Sequence, residues 1–258
     1  MAIHASAVVD PKAHIHPTAE VGPFSIVGPE VTIGAGTRLI GHAFVEGPID
    51  IGEENLFYPY STIGVAPQDL KYKGEASRAR IGNRNKIREF VTIHRGTEGG
   101  GMLTRIGDDN LLQAYTHVAH DTQIGDHVIL GHGATLGGHV TVDDWAVISA
   151  GSAVHQFCRV GKHCIIGGFS VVTQDVLPYS TTVSPRDVKV FGANATGLER
   201  RGFPSDTIEH LHKAFRLLTR SQLNTTQAIE KIRTEIPASP EIEDLLEFIA
   251  ASERGVIK

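Results

Sequence analysis

Cysteine is almost missing from this chain: its 258 residues include two, Cys158 and Cys164. A disulfide-stapled extracellular scaffold is therefore excluded. The pair stands six positions apart, an awkward spacing for a bridge within one coil of the repeat described below, and reads as free buried thiols of a reducing cytoplasm. Also missing is any run of the ~18 consecutive apolar residues that a membrane span needs. Positive charge is not in excess. Lys plus Arg number 24 against 29 Asp plus Glu, for a formal net charge of −5. No basic field points to nucleic acid or an anionic membrane surface. The opening MAIHASAVVDPKAHIHP has no basic stretch followed by an apolar one, so no signal peptide is expected and the chain is read as cytoplasmic.

What the chain does have is a beat. An apolar residue returns every six positions through Val9, Ile15, Val21, Val27, Ile33, Leu39, Val45, Ile51, Phe57 and Ile63. The same phase resumes at Ile81, Ile87 and Ile93. Shifted by one, it then runs from Ile106 through Leu112, Val118, Ile124, Leu130 and Leu136 to Val172. Neither the 3.6 period of a helix nor the alternation of a strand produces this. A hexapeptide repeat predicts a parallel β-helix, three hexads making one triangular coil of 18 residues. The recurring aliphatic points inward, and turn formers follow it at Gly34, Gly52, Gly82, Gly107, Gly125 and Gly161.

Two polar, glycine-containing segments break the beat, residues 64–80 and 96–105. Both are long for corners, and loops extruded from a rigid scaffold are where binding groups sit. Near residue 190 the grammar changes to helices. A short helix is expected around Ala193 to Arg201, a second capped by Ser205, a third starting at Thr225 or Thr226, and a last opened by Ser239-Pro240 and ending near Gly255. The expected organisation is a β-helix domain over 1–190 and a C-terminal helical domain over 191–258. Flat solenoid faces are commonly buried by trimerisation, so a homotrimer is expected.

Histidines number 14 and cluster at His94, His117, His120, His127, His132, His139, His155 and His163. Steps of 18 residues place His120, Gly138 and Gln156 in one column, with Asp121, His139 and His155 beside it. A histidine under a glycine N–H has the parts for acyl transfer, a general base and an oxyanion donor, with an Asp to orient the imidazole. The rival is a catalytic zinc held by His117, His120 and His139 or His155.

The runs VGPFSIVGP (21–29), QDLKYKGE (68–75), IREFVTIHRGT (87–97), DNLLQAYTHVAHD (109–121), GGHVTVDDWA (137–146), AVHQFCRVG (153–161) and LERRGF (198–203) make the chain specific. Together they resemble the acyl-carrier-protein-dependent UDP-N-acetylglucosamine O-acyltransferases along essentially the whole sequence. The resemblance implies a left-handed β-helix and transfer of a 3-hydroxyacyl group to the sugar nucleotide, the first step of lipid A biosynthesis. It implies a homotrimer, acyl carrier protein thioester as co-substrate, and no metal or redox cofactor. It assigns His120 as general base, Asp121 as its supporting acid and Gly138 as the oxyanion glycine. Gln68, Asp69 and Lys71 resemble a loop that holds the sugar nucleotide of a neighbouring subunit. His94, His117, His139, His155 and Gln156 resemble residues lining the cleft between subunits. Asn194, Arg200 and Arg201 resemble those that hold the uridine and phosphate end, and Gly168 marks the position that sets acyl length, its small size leaning toward a longer chain. Two positions depart from the pattern: Thr196 stands where relatives often carry Glu, and His132 where Asn is common. Lys162, Arg200, Arg201, Lys213, Arg216 and Arg220 offer a basic surface for the acidic carrier protein. A related N-acyltransferase family carries an added N-terminal uridine-binding domain, for which repeats beginning at Val9 leave no room.

Overall fold

The computed structural model describes residues 2–184, 190, 192–219, 221–252 and 256. The chain divides into two compact units, Met1–Ser184 and Pro185–Lys258. Among the described residues no helix is long and apolar enough to cross a membrane.

The first unit is the expected left-handed parallel β-helix. Its strands are mostly two residues long, and they assemble into three parallel sheets of ten, nine and eight strands. Sheet one runs from Ala2–Ile3 to Thr181–Thr182, sheet two from Val8–Val9 to Val171–Val172, and sheet three from His14–Ile15 to Arg159–Val160. Successive strands of the chain visit the three sheets in turn. The register steps by 18 residues, as in His117↔Thr135 and Thr135↔Ala153. Where the beat breaks, the pairing shows how much chain is extruded. Leu56 pairs Lys86, thirty residues on rather than eighteen, so the first loop adds twelve. Lys86 pairs Leu111, twenty-five on, so the second adds seven. Twelve is two hexads and preserves the phase, whereas seven is one hexad and one residue, hence the shift by one.

In each coil the second residue of a strand points inward. From Val21 to Val172 these aliphatics form one continuous buried column set. Val9 and Ile15 are only partly buried, because the terminal coil has a neighbour on one side alone. Cys158 and Cys164 are both free and buried, and burial raises both thiol pKa values, so neither is a ready nucleophile. A buried asparagine ladder ties consecutive turns at one corner. The Asn85 amide donates to Asn55 Oδ1 (3.0 Å) and to the Gly107 carbonyl (2.9 Å), and Asn85 Oδ1 accepts from the Asn110 backbone N–H (2.9 Å).

The corners hold a feature that the repeat does not announce. Phe24, His42, Tyr60, Phe90 and Tyr115 all have positive φ, between 50° and 64°. A bulky residue there costs roughly 1–2 kcal/mol. Their rings stack coil upon coil with centroids 4.8 to 5.1 Å apart, and each such pair returns about 0.5–1.5 kcal/mol. His132, without a role in the sequence reading, sits edge-on to Tyr115 at the end of this ladder.

The second unit comprises α1 (Ala195–Arg200), α2 (Ser205–Thr219), α3 (Thr225–Glu235) and α4 (Pro240–Ala250). Ser239 caps α4 with Pro240 at its first turn, as expected. Ser205 does not cap α2: it is already helical, and the Pro204 carbonyl accepts the first helical bond, from Ile208. The cap of α3 is Asn224, whose side chain and that of Gln227 form a reciprocal capping box. Helix α4 closes at Ala250, and Gly255 and Arg220 lie outside the described residues. Leu211, Ala214, Leu218, Ala228, Ile232, Ile242 and Leu246 pack as a separate core.

Because each inward aliphatic touches coils above and below, truncating one leaves a void that its rigid neighbours cannot close. Leu130 has no exposure, and Leu130→Ala is expected to cost about 3 kcal/mol, measured by guanidinium unfolding at fixed protein concentration.

Candidate active site

Both extruded loops leave the same corner of the prism. The first joins Thr62–Val65 of sheet two to Arg78–Ile81 of sheet three, and the second joins Thr92–His94 to Leu103–Ile106 across the same two sheets. The next coil puts His120 and Asp121 at that corner, between His117–Val118 and Gln123–Ile124. Gly138-His139 and Gln156-Phe157 follow at the equivalent places one and two coils on. The column read from the sequence therefore exists.

Its geometry orients one imidazole. His120 Nδ1 lies 2.8 Å from Asp121 Oδ2. A carboxylate only accepts, so Nδ1 carries the proton and Nε2 is left with its lone pair. The side chain of Asp121 is wholly buried. Its Oδ1 accepts the Thr97 backbone N–H (2.8 Å), and its Oδ2 accepts the Thr97 hydroxyl (2.6 Å). The imidazole ring lies against Gly138, where a Cβ would sit 2.6 Å from His120 Cε1 and 2.8 Å from Nε2. Only glycine fits beneath the ring. On either side the ladder is occupied, Gly137 donating to the Val154 carbonyl and His139 to that of His120. The Gly138 N–H has no partner among the described residues. The corner thus offers a free lone pair and a free backbone donor.

Other histidines surround this pair. His139 crosses His120 edge-on at 5.1 Å, stacks flat on Phe157 at 4.4 Å, and keeps Nε2 3.9 Å from Asp121 Oδ2. His117 Nδ1 contacts Thr92 Oγ1 at 2.7 Å and meets His94 edge-on. His94 is buried, and its Nδ1 has no hydrogen-bond partner among the described residues. Burial, with smaller contributions from His117, His120 and Arg95, lowers its pKa to about 4. Burial lowers that of His117 too. Both rings are consequently held toward the neutral form. His155 and Gln156 are exposed, the former contacting the Gln156 carbonyl through Nδ1 (3.2 Å).

The remaining expected residues stand elsewhere in the chain. Gln68, Asp69 and Lys71 ride on the first loop, where Asp69 Oδ1 accepts from the Lys71 N–H. Among the described residues no hydrogen bond or ion pair joins them to the imidazoles. Gly168 follows Ile165–Ile166 of sheet one and precedes Val171–Val172 of sheet two, so it belongs to a different corner. Asn194 caps α1, accepting from the Gly197 N–H, and Arg201 donates to the Gly197 carbonyl. Arg200 and Thr196 are exposed on the same helix. Lys213 of the basic surface is paired with Glu209 at 2.8 Å.

Arg95 and Thr97 carry no role in the sequence reading, although both lie inside the IHRGT run. Arg95 is buried and donates to the Gly64 carbonyl (2.7 Å), Glu46 (3.1 Å) and the Tyr72 hydroxyl (3.2 Å), tying the first loop to the coil beneath it. Of the alternative zinc set, His120 and His139 come together at the corner, and His117 and His155 lie outside that group among the described residues. The grouped ligand atoms belong to His120, Asp121 and His139, within 4.8 Å of one another. The carboxylate in that group accepts from Thr97 and lies 2.8 Å from His120 Nδ1.

Comparison with known proteins identifies the family. Coils of hexapeptide repeats are the fold of the hexapeptide transferases. A family model for bacterial transferase hexapeptides (six repeats) matches residues 103–138, and one for UDP-N-acetylglucosamine O-acyltransferase, domain 2, matches residues 175–257. The acyl-[acyl-carrier-protein]–UDP-N-acetylglucosamine O-acyltransferase of Thermodesulfovibrio yellowstonii is 49% identical over 256 residues, covering 99% of each chain. The solved structure of LpxA from Acinetobacter baumannii is similar at 41% identity, with a TM-score of 0.70 and 99% of each chain covered. That of LpxA, a UDP-N-acetylglucosamine acyltransferase from Bacteroides fragilis, gives 42%, 0.68 and the same coverage. The chain is an acyltransferase and belongs to the acyl-[acyl-carrier-protein]–UDP-N-acetylglucosamine O-acyltransferase family.

The depressed His94 pKa has a consequence for stability. Unfolded His94 takes a proton near pH 6.5 and folded His94 only near pH 4. The unfolded state therefore binds more protons between those values, and this site loses stability as pH falls through that window. Urea unfolding at pH 7 and pH 5 is expected to show a smaller loss for His94→Gln than for the native chain.

Proposed function

We propose that the chain transfers a 3-hydroxyacyl group from acyl carrier protein to the 3-hydroxyl of UDP-N-acetylglucosamine, the first step of lipid A biosynthesis. The observation that carries the reading is the single free lone pair at His120 Nε2, beside the unused Gly138 N–H. Nε2 takes the proton of the sugar hydroxyl as its oxygen attacks the thioester carbonyl. The resulting tetrahedral oxyanion accepts the Gly138 N–H. Collapse breaks the carbon–sulfur bond, and protonated His120 returns the proton to the departing phosphopantetheine thiolate. Asp121 stabilises the transient imidazolium through Nδ1.

The acceptor reaches this corner with help from a second subunit in this reading. Outward residues on sheet one include Leu111, Ile129, Val147 and Ile165, and on sheet two Ile26, Phe44, Ala153 and Val171. Sheet three instead turns Asp50, Arg80, Arg105 and Arg159 outward. The outward row of sheet one is charged in the early coils, at Glu20, Arg38 and Lys86, and apolar from Leu111 to Ile165, and this apolar stretch suits a closed three-fold assembly of this chain. The first loop, with Gln68, Asp69 and Lys71, would then bind the sugar nucleotide at a neighbour's corner. His94, His117, His139, His155 and Gln156 would line the cleft, Gly168 the acyl groove, and Asn194, Arg200 and Arg201 the nucleotide end, since guanidinium matches phosphate oxygens. In this reading the reaction takes place in the cytoplasm.

His120→Ala is expected to lower turnover at least about 100-fold, with product identified by mass spectrometry from a defined carrier thioester. Retained activity would remove His120 from the mechanism. No metal takes part in the proposed step. Dialysis against a chelator should leave the rate unchanged, and a loss restored by added zinc would speak for the metal mechanism instead.

A further inference from the structure

The second loop does more than interrupt the repeat, because it closes over Asp121. After His94 the chain passes through Gly96 and Thr97, makes a short 3-10 turn at Glu98–Gly100, and re-enters the coil at Leu103. Gly100 lies so close that a Cβ there would fall on the Asp121 carboxyl group, and one at Gly96 would sit 2.8 Å from Oδ1. The far end of the loop takes hold as well, for the Asp121 backbone N–H donates to Thr104 Oγ1 at 2.7 Å.

Within this roof Thr97 grips both carboxylate oxygens, its N–H on Oδ1 and its hydroxyl on Oδ2. Two bonds from one residue fix the plane of the carboxylate. That plane matters because two imidazoles compete for Oδ2: His120 Nδ1 stands at 2.8 Å and His139 Nε2 at 3.9 Å. A carboxylate free to turn about χ2 could serve either ring, or leave His120 with its proton on Nε2. We propose that Thr97 is a positioning residue of the acyl transfer, holding Asp121 so that it fixes the tautomer of His120 and not of His139. The inference rests on His120 being the general base. Thr97 itself touches no substrate in this account.

The test is steady-state kinetics on the full chain with Thr97→Val, which removes the hydroxyl but retains the N–H and the branched shape. Turnover is expected to fall about tenfold, the order set by one hydrogen bond to a charged group, with both KM values within about twofold of native. Thr97→Ser should restore turnover. In an Asp121→Asn background the same Thr97→Val change should add nothing further. Thr97→Ala deletes the same hydroxyl and replaces the valine variant should thermal unfolding show that valine disturbs the loop. Native turnover in the hydroxyl-free variant, an equal loss in Thr97→Ser, or an undiminished loss in the Asp121→Asn background would each overturn the proposal. His120→Ala run in parallel separates the two readings. An inactive His120→Ala beside a fully active Thr97→Val sinks only the role of Thr97, whereas an active His120→Ala sinks the general base itself.

Discussion

The parallel backbone ladder between coils governs everything else in the solenoid. Each coil must donate to the next at fixed register, so a residue and its counterpart 18 positions later are held about one strand spacing apart. That constraint turns a linear sequence into columns. It builds the interior from stacked aliphatics and the asparagine ladder from Asn55, Asn85 and Asn110. It also brings Gly138 beneath His120 without any dedicated element to position either. The candidate corner inherits its rigidity from the scaffold, since moving one column member would break ladder bonds of its neighbours.

What cannot be supplied by a periodic scaffold comes from the loops. A repeating coil offers the same environment at every corner, yet acyl transfer needs one corner unlike the others. The second loop creates that difference by covering Asp121 and excluding water from its carboxylate. Arg95 does the corresponding work for the first loop, its guanidinium reaching the Gly64 carbonyl, Glu46 and the Tyr72 hydroxyl. Burying an arginine is costly unless its donors are satisfied. Here Nη1 and Nη2 of a side chain on one coil reach acceptors on the preceding coils and the first loop, while its buried Nε is left without a partner among the described residues.

The column His120–Gly138–Gln156 was legible because it depends only on counting, and the strand order because every coil obeys one rule. Both loops were legible as interruptions, and the three hexads between them, at Ile81, Ile87 and Ile93, make one coil and imply a shared corner, but the side chains the loops would bring there were not legible. Thr97 escaped notice for the same reason: the path of a glycine-rich loop is set by contacts that no period encodes. The stacked corner rings at Phe24, His42 and Tyr60 contradict local preference, as aromatic residues avoid positive φ. Their stabilisation is visible only once the coils are superposed. Ser205 failed as a cap because the Pro204 carbonyl begins α2 one residue earlier.

The twelve- and seven-residue extrusions carry a further implication for how such a protein can change. Seven is not a multiple of six, yet the coil after it keeps its inward aliphatics and its ladder. The surplus is wholly absorbed outside the prism. Loop length is therefore decoupled from scaffold phase, and a lineage can lengthen, shorten or rewrite the segment over Asp121 without renumbering a single column. Such a cassette lets the chemistry at the corner drift while the architecture that presents it stays constant.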